Sequence, residues 1–339
     1  MQNHDELVRP SVLGPALVAA TGDSGWESFD YRLIAGGKSN LTFELSSAAG
    51  ELILRRPPSG NLLPSAHDMG RESRVQRALA GTQVPVPQVV LTDEGDLLGV
   101  PCYVMAKVEG HVIREEFPAG YADDAAAKER IAGALVDTQS ALHLIDPTSI
   151  GMADFGRAEG FMARQVRRWT EQWDRSKTHD VAEMTELSQR LSTNTPAAQR
   201  VSIIHGDYRL DNCIMDADDP GKVAAVLDWE LSALGDPLAD LALTLFYWLE
   251  ESDEPFGITP SITRTPSFPG RDFVKARYAE QTGLDLSDLG YYQGFSAFKL
   301  AGIVQGINQR SKAGAMAGQD FGNLDDMVLH IARQGLELL

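Results

Sequence analysis

The feature that most constrains this chain is the run His205-Gly206-Asp207-Tyr208-Arg209-Leu210-Asp211-Asn212. A short apolar run, Val201–Ile204, precedes it and another, Cys213–Met215, follows. Sixteen residues beyond Asn212 stands Asp228, at the end of a further apolar run, Val223–Leu227. Between these runs Asp218-Asp219-Pro220-Gly221 reads as the turn of a hairpin. Such a hairpin folds the chain back so that Asp207, Asn212 and Asp228 meet at one mouth. An Asp, four residues, an Asn, a hairpin and a second Asp suit phosphoryl transfer from a nucleotide. The first Asp orients a hydroxyl and accepts its proton, while the Asn and the second Asp offer hard oxygens to Mg2+. The plainer alternative is an Asp in a turn and an Asp at a helix cap. It requires the spacing, the order and both strands to coincide by chance.

The rest of the chain must be able to carry such a site. Its 339 residues suggest about two domains. With 43% hydrophobic and 23% charged residues it reads as globular. The net charge of −18 argues against nucleic acid or an anionic membrane as partner, because phosphate backbones are held by clustered cations. A small phosphorylated ligand needs only a few local donors and stays compatible with that charge. The two cysteines, Cys102 and Cys213, form no C-x-x-C pair, so neither a disulfide framework nor a cysteine zinc site is expected. The N-terminus carries acidic residues where a secretory leader needs a basic and then an apolar region. The longest apolar stretch, Leu238–Leu249, is interrupted by Asp240 and is too short for a bilayer, which takes ~20 residues. A cytoplasmic protein with no membrane partner is the expectation.

Two compositions divide the chain. Residues 1–28 read as a leading helix and loop, followed by strand-like runs at Phe29–Ala35, Leu41–Ser47 and Glu51–Arg56. A helical pattern covers His67–Ala80, with Gly81 as its stop, and strand-like runs return at Gln88–Leu91 and Leu97–Met105. Beyond this the pattern is helical at Ala122–Ile145, Glu159–Lys177, Asp180–Leu191, Leu238–Leu249, Gly270–Thr282, Leu286–Gln309 and Leu324–Leu338. An α+β chain is expected, with a small antiparallel sheet over residues 1–106 and a larger helical part over 107–339, and a ligand cleft between them.

The motif resembles that of the aminoglycoside phosphotransferase-like branch of the protein-kinase fold, which carries H-G-D-x-x-x-x-N where protein kinases carry H-R-D-x-x-x-x-N. Its metal Asp is followed by residues other than Phe-Gly, here Trp229-Glu230. The resemblance runs from about Phe29 to Arg310. It is nearest to the phosphotransferase domains related to those attached to some acyl-CoA dehydrogenases. The stretches that carry it are Gly37-Lys38-Ser39-Asn40-Leu41-Thr42, Arg164-Gln165-Val166-Arg167-Arg168-Trp169, Gly235-Asp236-Pro237-Leu238-Ala239-Asp240-Leu241-Ala242 and Gln305-Gly306-Ile307.

The resemblance implies a two-lobe molecule, with a nucleotide-binding sheet lobe at 1–106 and a helical lobe at 107–339 bearing the catalytic loop and acceptor pocket. It assigns Asp207 as catalytic base and Asn212 and Asp228 as Mg2+ ligands. The Gly36-Gly37-Lys38-Ser39-Asn40 turn lies where a kinase covers the phosphates. Gly37 lets backbone N–H groups approach closely, and Ser39 and Asn40 add donors. Taken alone, Gly-Gly between strands is simply a hairpin turn. The third strand of a kinase carries a phosphate-holding Lys paired with a Glu on the next helix. Here Arg55 stands in its place, with Glu72 as partner. Met105, Ala106 and Lys107 fall at the hinge that meets the base of ATP. Asp240 braces the catalytic loop, His205 buttresses it, and His143 is expected to be a satisfied core histidine.

The acceptor side is marked by Arg164, Arg167, Arg168, Trp169 and Trp173 at helical spacing, and by Arg310. Arginines and tryptophans favour an anionic or partly apolar acceptor, such as a hydroxyacyl group, over a polycationic aminoglycoside. Arg164, Arg168, Trp169 and Arg310 are the acceptor candidates. The expected activity is transfer of the γ-phosphate of ATP, with Mg2+, to a small-molecule hydroxyl. An aminoglycoside phosphotransferase and a non-catalytic nucleotide-binding module are the alternatives.

Overall fold

Ala48-Ala49 closes a hairpin whose strands pair from Ser47 with Gly50 to Leu41 with Arg56, and on this ladder the first part of the protein is built. The computed structural model describes residues 4–34, 40–58, 68–255, 260–312 and 322–339. The chain divides into two compact units, one of residues 1–110 with 224–232, the other of residues 111–223 with 233–339.

In the first unit, helices α1 (Asp5–Val8) and α2 (Pro10–Thr21) precede strands β1 (Asp30–Leu33), β2 (Leu41–Ser47) and β3 (Gly50–Arg56). Helix α3 (Met69–Leu79) and strands β4 (Val89–Asp93) and β5 (Cys102–Ala106) complete it. The five strands form one antiparallel sheet in the order β1-β2-β3-β5-β4. Successive side chains on a strand point to opposite faces. Phe43, Leu45, Leu52, Leu54 and Val104 therefore share one buried cluster with Leu13 and Leu17 of α2. Ile53, Tyr103 and Met105 share the opposite cluster with Met69 of α3. Asp68 caps α3, its carboxylate accepting from the Arg71 N–H.

The apolar run at Leu97–Met105 is only half strand, since β5 starts at Cys102. Upstream, the Asp93 carboxylate accepts from the N–H groups of Gly95 and Leu97 and holds a turn, while Leu98 is a buried anchor of the sheet core. Pro101 has no N–H to give a ladder. Hydrophobicity there serves the core without extending the strand.

The second unit begins with strand β6 (His111–Val112) and helices α4 (Ala125–Leu144), α5 (Phe161–Ser176) and α6 (Ala182–Thr193). Strands β7 (Ser202–Ile204) and β8 (Cys213–Met215) flank the motif. The turn after β8 is closed by the Lys222 carbonyl, which accepts from Asp216 N–H, and by the Lys222–Asp216 ion pair at 2.7 Å. Strand β9 (Val223–Val226) leads into residues 224–232 of the first unit. The chain then returns through β10 (Ala233–Gly235), which pairs antiparallel with β7. This three-residue strand is too short to show in the sequence pattern. Helices α7 (Pro237–Tyr247), α8 (Arg271–Thr282), α9 (Leu289–Lys312) and α10 (Leu324–Leu338) follow. α10 lies close on α9 at Gly335, where a Cβ would sit 2.8 Å from that of Ala297. Pro237 opens α7 at a position where its missing N–H costs nothing, under the Asp236 cap. Antiparallel sheet followed by packed helices is the expected α+β class. Among the described residues no helix is long and apolar enough to cross a membrane.

Candidate active site

In the first unit the pleat decides which cation enters the site. Arg55 lies on the face of Ile53 and Tyr103, beneath α3, and meets Glu72 there. Its Nε is 3.2 Å from Glu72 Oε2, and its Nη2 donates to Asp228 Oδ1 at 3.1 Å. Glu72 is fully buried and accepts from the Tyr103 hydroxyl at 2.9 Å and from Asn40 Nδ2 at 3.0 Å. Gln76 Nε2 in turn donates to the Tyr103 oxygen at 2.9 Å. Burial pushes the Glu72 carboxyl up to about 7, against the pull of Arg55 and Tyr103. Burial also disfavours the Arg55 cation, but Tyr103, Glu72 and Asp228 outweigh it and raise its pKa.

Asp228 sits in the left-handed region, φ 63°, a conformation that costs a non-glycine residue energy and is retained mostly at functional positions. The indole of Trp229 is fully buried, and its N–H donates to Val226 O at 3.0 Å. That anchor fixes the bend on which Asp228 rides.

Gly37 and Ser39 lie outside the described residues. Asn40 is buried, and its amide N–H groups go to the carboxylates of Glu72 and Glu230. Met105 is buried between β3 and β4, paired with Ile53 and Val89. The Ala106 N–H donates to Gln88 O at 2.8 Å. The Lys107 ammonium is engaged by Glu51 at 2.8 Å, Glu44 at 3.3 Å and Glu109 at 3.4 Å. Those carboxylates, Glu51 foremost, raise its pKa.

In the second unit the motif forms a loop anchored through its backbone. Gly206 takes φ 84°, which explains a glycine there. The buried Asp240 carboxylate accepts from His205 N–H at 2.9 Å and from Gly206 N–H at 2.7 Å. His143 Nε2 lies 3.1 Å from Asp240 Oδ2. A carboxylate only accepts, so Nε2 carries the proton, and Nδ1 faces the Tyr278 hydroxyl at 2.7 Å. Burial opposes charge on Asp240, yet the His143 hydrogen bond and charge, with the loop amide, hold its carboxyl below the usual carboxylate range. His143 is buried and bonded at both nitrogens, as expected of a core histidine, and its partner is the anchor of the loop.

Asp207 N–H donates to His205 Nδ1 at 3.2 Å. Asn212 Nδ2 donates to Asp207 O at 2.8 Å and to Asp207 Oδ2 at 3.0 Å. The Asp207 side chain remains 22% exposed, with Arg209 Nε 3.7 Å away. Arg209 lies closer to Asp211, at 3.0 Å, and over the Tyr247 ring, 5.1 Å from its centroid. Beside the loop is a recess lined by Arg209, Asp211, Thr244, Tyr247 and Trp248.

Mg2+ and ATP are the groups this residue set implies. The Asn212 amide is turned so that Nδ2 serves Asp207, which leaves its oxygen as an acceptor without a hydrogen bond among the described residues. Asp228 accepts from Arg55 through Oδ1, on a side chain 36% exposed. Arg55 Nε is buried and in ion-pair contact with Glu72, but without the alignment of a hydrogen bond. Taken unit by unit, the Asn212 oxygen of the second and the Asp228 carboxylate of the first are hard donors of the kind a divalent cation takes, and the Arg55 N–H of the first is of the kind a phosphate takes.

The acceptor candidates separate. Arg164 donates both Nη groups to backbone carbonyls, of Glu159 and Arg157, and so closes the start of its own helix. Arg168 and Arg310 are exposed. Trp169 is half-buried with its ring against Gly302 of α9, and Trp173 is core.

Sequence reasoning missed Lys299, whose Nζ donates to Gly206 O at 3.3 Å. Its signal was a single charge in the apolar stretch Phe295–Ala301. It also missed the Tyr103–Gln76 support of Glu72, for which polar residues across a strand and a helix leave no local pattern.

A family model described as the phosphotransferase enzyme family matches residues 30–260. Acyl-CoA dehydrogenase family member 10 of Mus musculus is 33% identical over 320 residues, which cover 92% of this chain and 29% of that protein. The chain thus spans less than a third of that relative's length. A crystal structure from Ralstonia eutropha, named as a candidate aminoglycoside phosphotransferase, is 29% identical, with a TM-score of 0.83 over 97% of each chain. A thermostable mutant of aminoglycoside phosphotransferase APH(4)-Ia, solved with AMP-PNP and hygromycin B, is 15% identical. It has a TM-score of 0.62 over 95% of this chain and 98% of its own. The fold is that of the protein-kinase-like phosphotransferases, α+β with a sheet unit and a helical unit.

Proposed function

The chain belongs to the phosphotransferase enzyme family, and we propose that it transfers the γ-phosphate of ATP to the hydroxyl of a small molecule, with Mg2+. The observation that carries this reading is the Asp207–Asn212 pair. A partly exposed carboxylate is bonded to an amide, on a loop whose two preceding N–H groups are anchored by Asp240. In the proposed reaction Asp207 orients the acceptor hydroxyl and takes its proton as the phosphoryl group departs from ATP. Asn212 and Asp228 would hold Mg2+, which when bound neutralises charge on the phosphates. Arg55, oriented by Glu72, would hold the phosphates in the place of the usual Lys. In this reading residues 1–106 bind the nucleotide and residues 107–339 supply the catalytic loop and the acceptor side.

For the acceptor we favour a hydroxyacyl-type or other anionic or partly apolar metabolite. Arg168, Arg310 and the half-buried Trp169 support this, being cationic and aromatic where a polycationic substrate calls for carboxylates. The test is a mass-spectrometric screen for ATP- and Mg2+-dependent addition of phosphate across hydroxyacyl-CoAs, hydroxy acids, aminoglycosides and choline-like alcohols. A phosphorylated hydroxyacyl or hydroxy acid, absent with Asp207→Ala, is the expected result. Product only from aminoglycosides would reverse the acceptor preference, and nucleotide binding without any product would overturn the enzymatic reading.

A further inference from the structure

We propose that Lys299 of α9 is a positioning residue of the catalytic loop, holding the peptide that bears Asp207. The proposal rests on the reading of Asp207 as base. The Gly206–Asp207 peptide is held at both ends, its carbonyl by Lys299 Nζ at 3.3 Å and its N–H by His205 Nδ1 at 3.2 Å. The peptide before it is held by Asp240, through Gly206 N–H. With these three bonds the backbone on either side of Gly206 loses its freedom to rotate, although glycine would otherwise permit it. The direction of the Asp207 side chain follows from that backbone.

A cation in this place has a cost and a compensation. Lys299 is half-buried and flanked by Phe298 and Leu300, which are buried. Burial lowers its pKa, and the carboxylates of Asp207 and Asp240 counter it, while Arg168 adds to the repulsion. Between two buried apolar neighbours a Leu or Met would sit there at less cost. Retaining the ammonium gives the Gly206 carbonyl a charged donor, about twice as strong as a neutral one. Around Asp207 the other polar and charged groups of this unit are His205, Arg209, Asp211, Asn212 and Tyr247. Lys299 adds to these a charged donor that reaches the Gly206 carbonyl itself.

The experiment compares Lys299→Met, which keeps length and removes the donor, with Lys299→Arg, which keeps a charged donor. It uses the full chain and two readouts. Amide hydrogen exchange at Asp207, followed by NMR, should speed up on the order of tenfold in Lys299→Met and stay near wild type in Lys299→Arg. With an acceptor in hand, kcat should fall on the order of tenfold in Lys299→Met with KM for ATP unchanged, and recover in Lys299→Arg. An Asp207 amide equally protected in Lys299→Met would overturn the proposal, whatever happens to melting temperature. If Lys299→Met does not fold, Lys299→Arg decides: retained protection supports the role and lost protection overturns it. The exchange readout needs no turnover. A wild-type protein inactive on every acceptor would therefore defeat the proposed function, while the exchange data still judged Lys299.

Discussion

Arg55 and Arg56 are neighbours in the chain and lie on opposite faces of one sheet. Arg55 joins Glu72 and Asp228, while Arg56 is buried on the other face and donates to the carbonyls of Leu7 and Pro57. One residue of pleat separates a candidate site residue from a structural one. Arg55→Ala should weaken ATP binding about tenfold or more, as loss of a charged hydrogen bond would. Arg56→Ala should cost about 1–3 kcal/mol of stability and leave ATP affinity unchanged. Calorimetric titration and denaturant melts of both variants separate the two, and equal ATP affinity in both would remove Arg55 from its role.

The second expectation concerns pH. Glu72 titrates near 7 in the folded protein, raised by burial from its ordinary 4.5. The folded state therefore keeps this proton over a range in which the unfolded chain has released it. The stability it contributes is complete below about pH 4.5 and declines as pH rises through about 7, by on the order of 3 kcal/mol. Glu72→Gln lacks this dependence. The wild-type minus variant unfolding free energy should fall between pH 4.5 and 7 and level off above. A difference that stays flat would show that Glu72 is ionised throughout.

Loss of a loop anchor should be felt at a distance. His143→Ala removes the ring donor from the buried Asp240 carboxylate, at a cost of about 1–3 kcal/mol. Because Asp240 also accepts from the His205 and Gly206 N–H groups, turnover should fall as well, although the His143 side chain makes no hydrogen bond to the motif itself. Urea denaturation and kcat measured on the same preparation check both halves. Normal turnover in a destabilised variant would confine His143 to packing.

Asp207 and Asp228 should fail differently. Asp207→Ala should still bind ATP with Mg2+ but turn over on the order of 10²-fold more slowly, as a site without its base does. Asp228→Ala should weaken metal-dependent nucleotide binding itself, and chelation of Mg2+ should reproduce that loss in the wild type. Nucleotide titrations with and without Mg2+ distinguish the two. Unchanged turnover in Asp207→Ala would withdraw the base assignment.

The chain's own pattern determined a good deal. Alternating apolar residues placed β2 and β3, helical spacing placed α4, α5 and α10, and the order Asp207, Asn212, Asp228 pointed to the proposed chemistry. These are local signals, carried by periods of two and 3.6 residues and by oxygen-bearing side chains at set intervals. What a side chain faces across the core leaves no such trace. Only packing decided that Asn40 serves Glu72, that Arg164 closes its own helix, that Lys107 is taken up by three carboxylates, and that a lysine more than ninety residues downstream holds the Gly206 carbonyl. The Asn40, Lys299 and most of the Lys107 partners come from distant segments, because a buried donor or charge must find an acceptor wherever the fold brings one within reach.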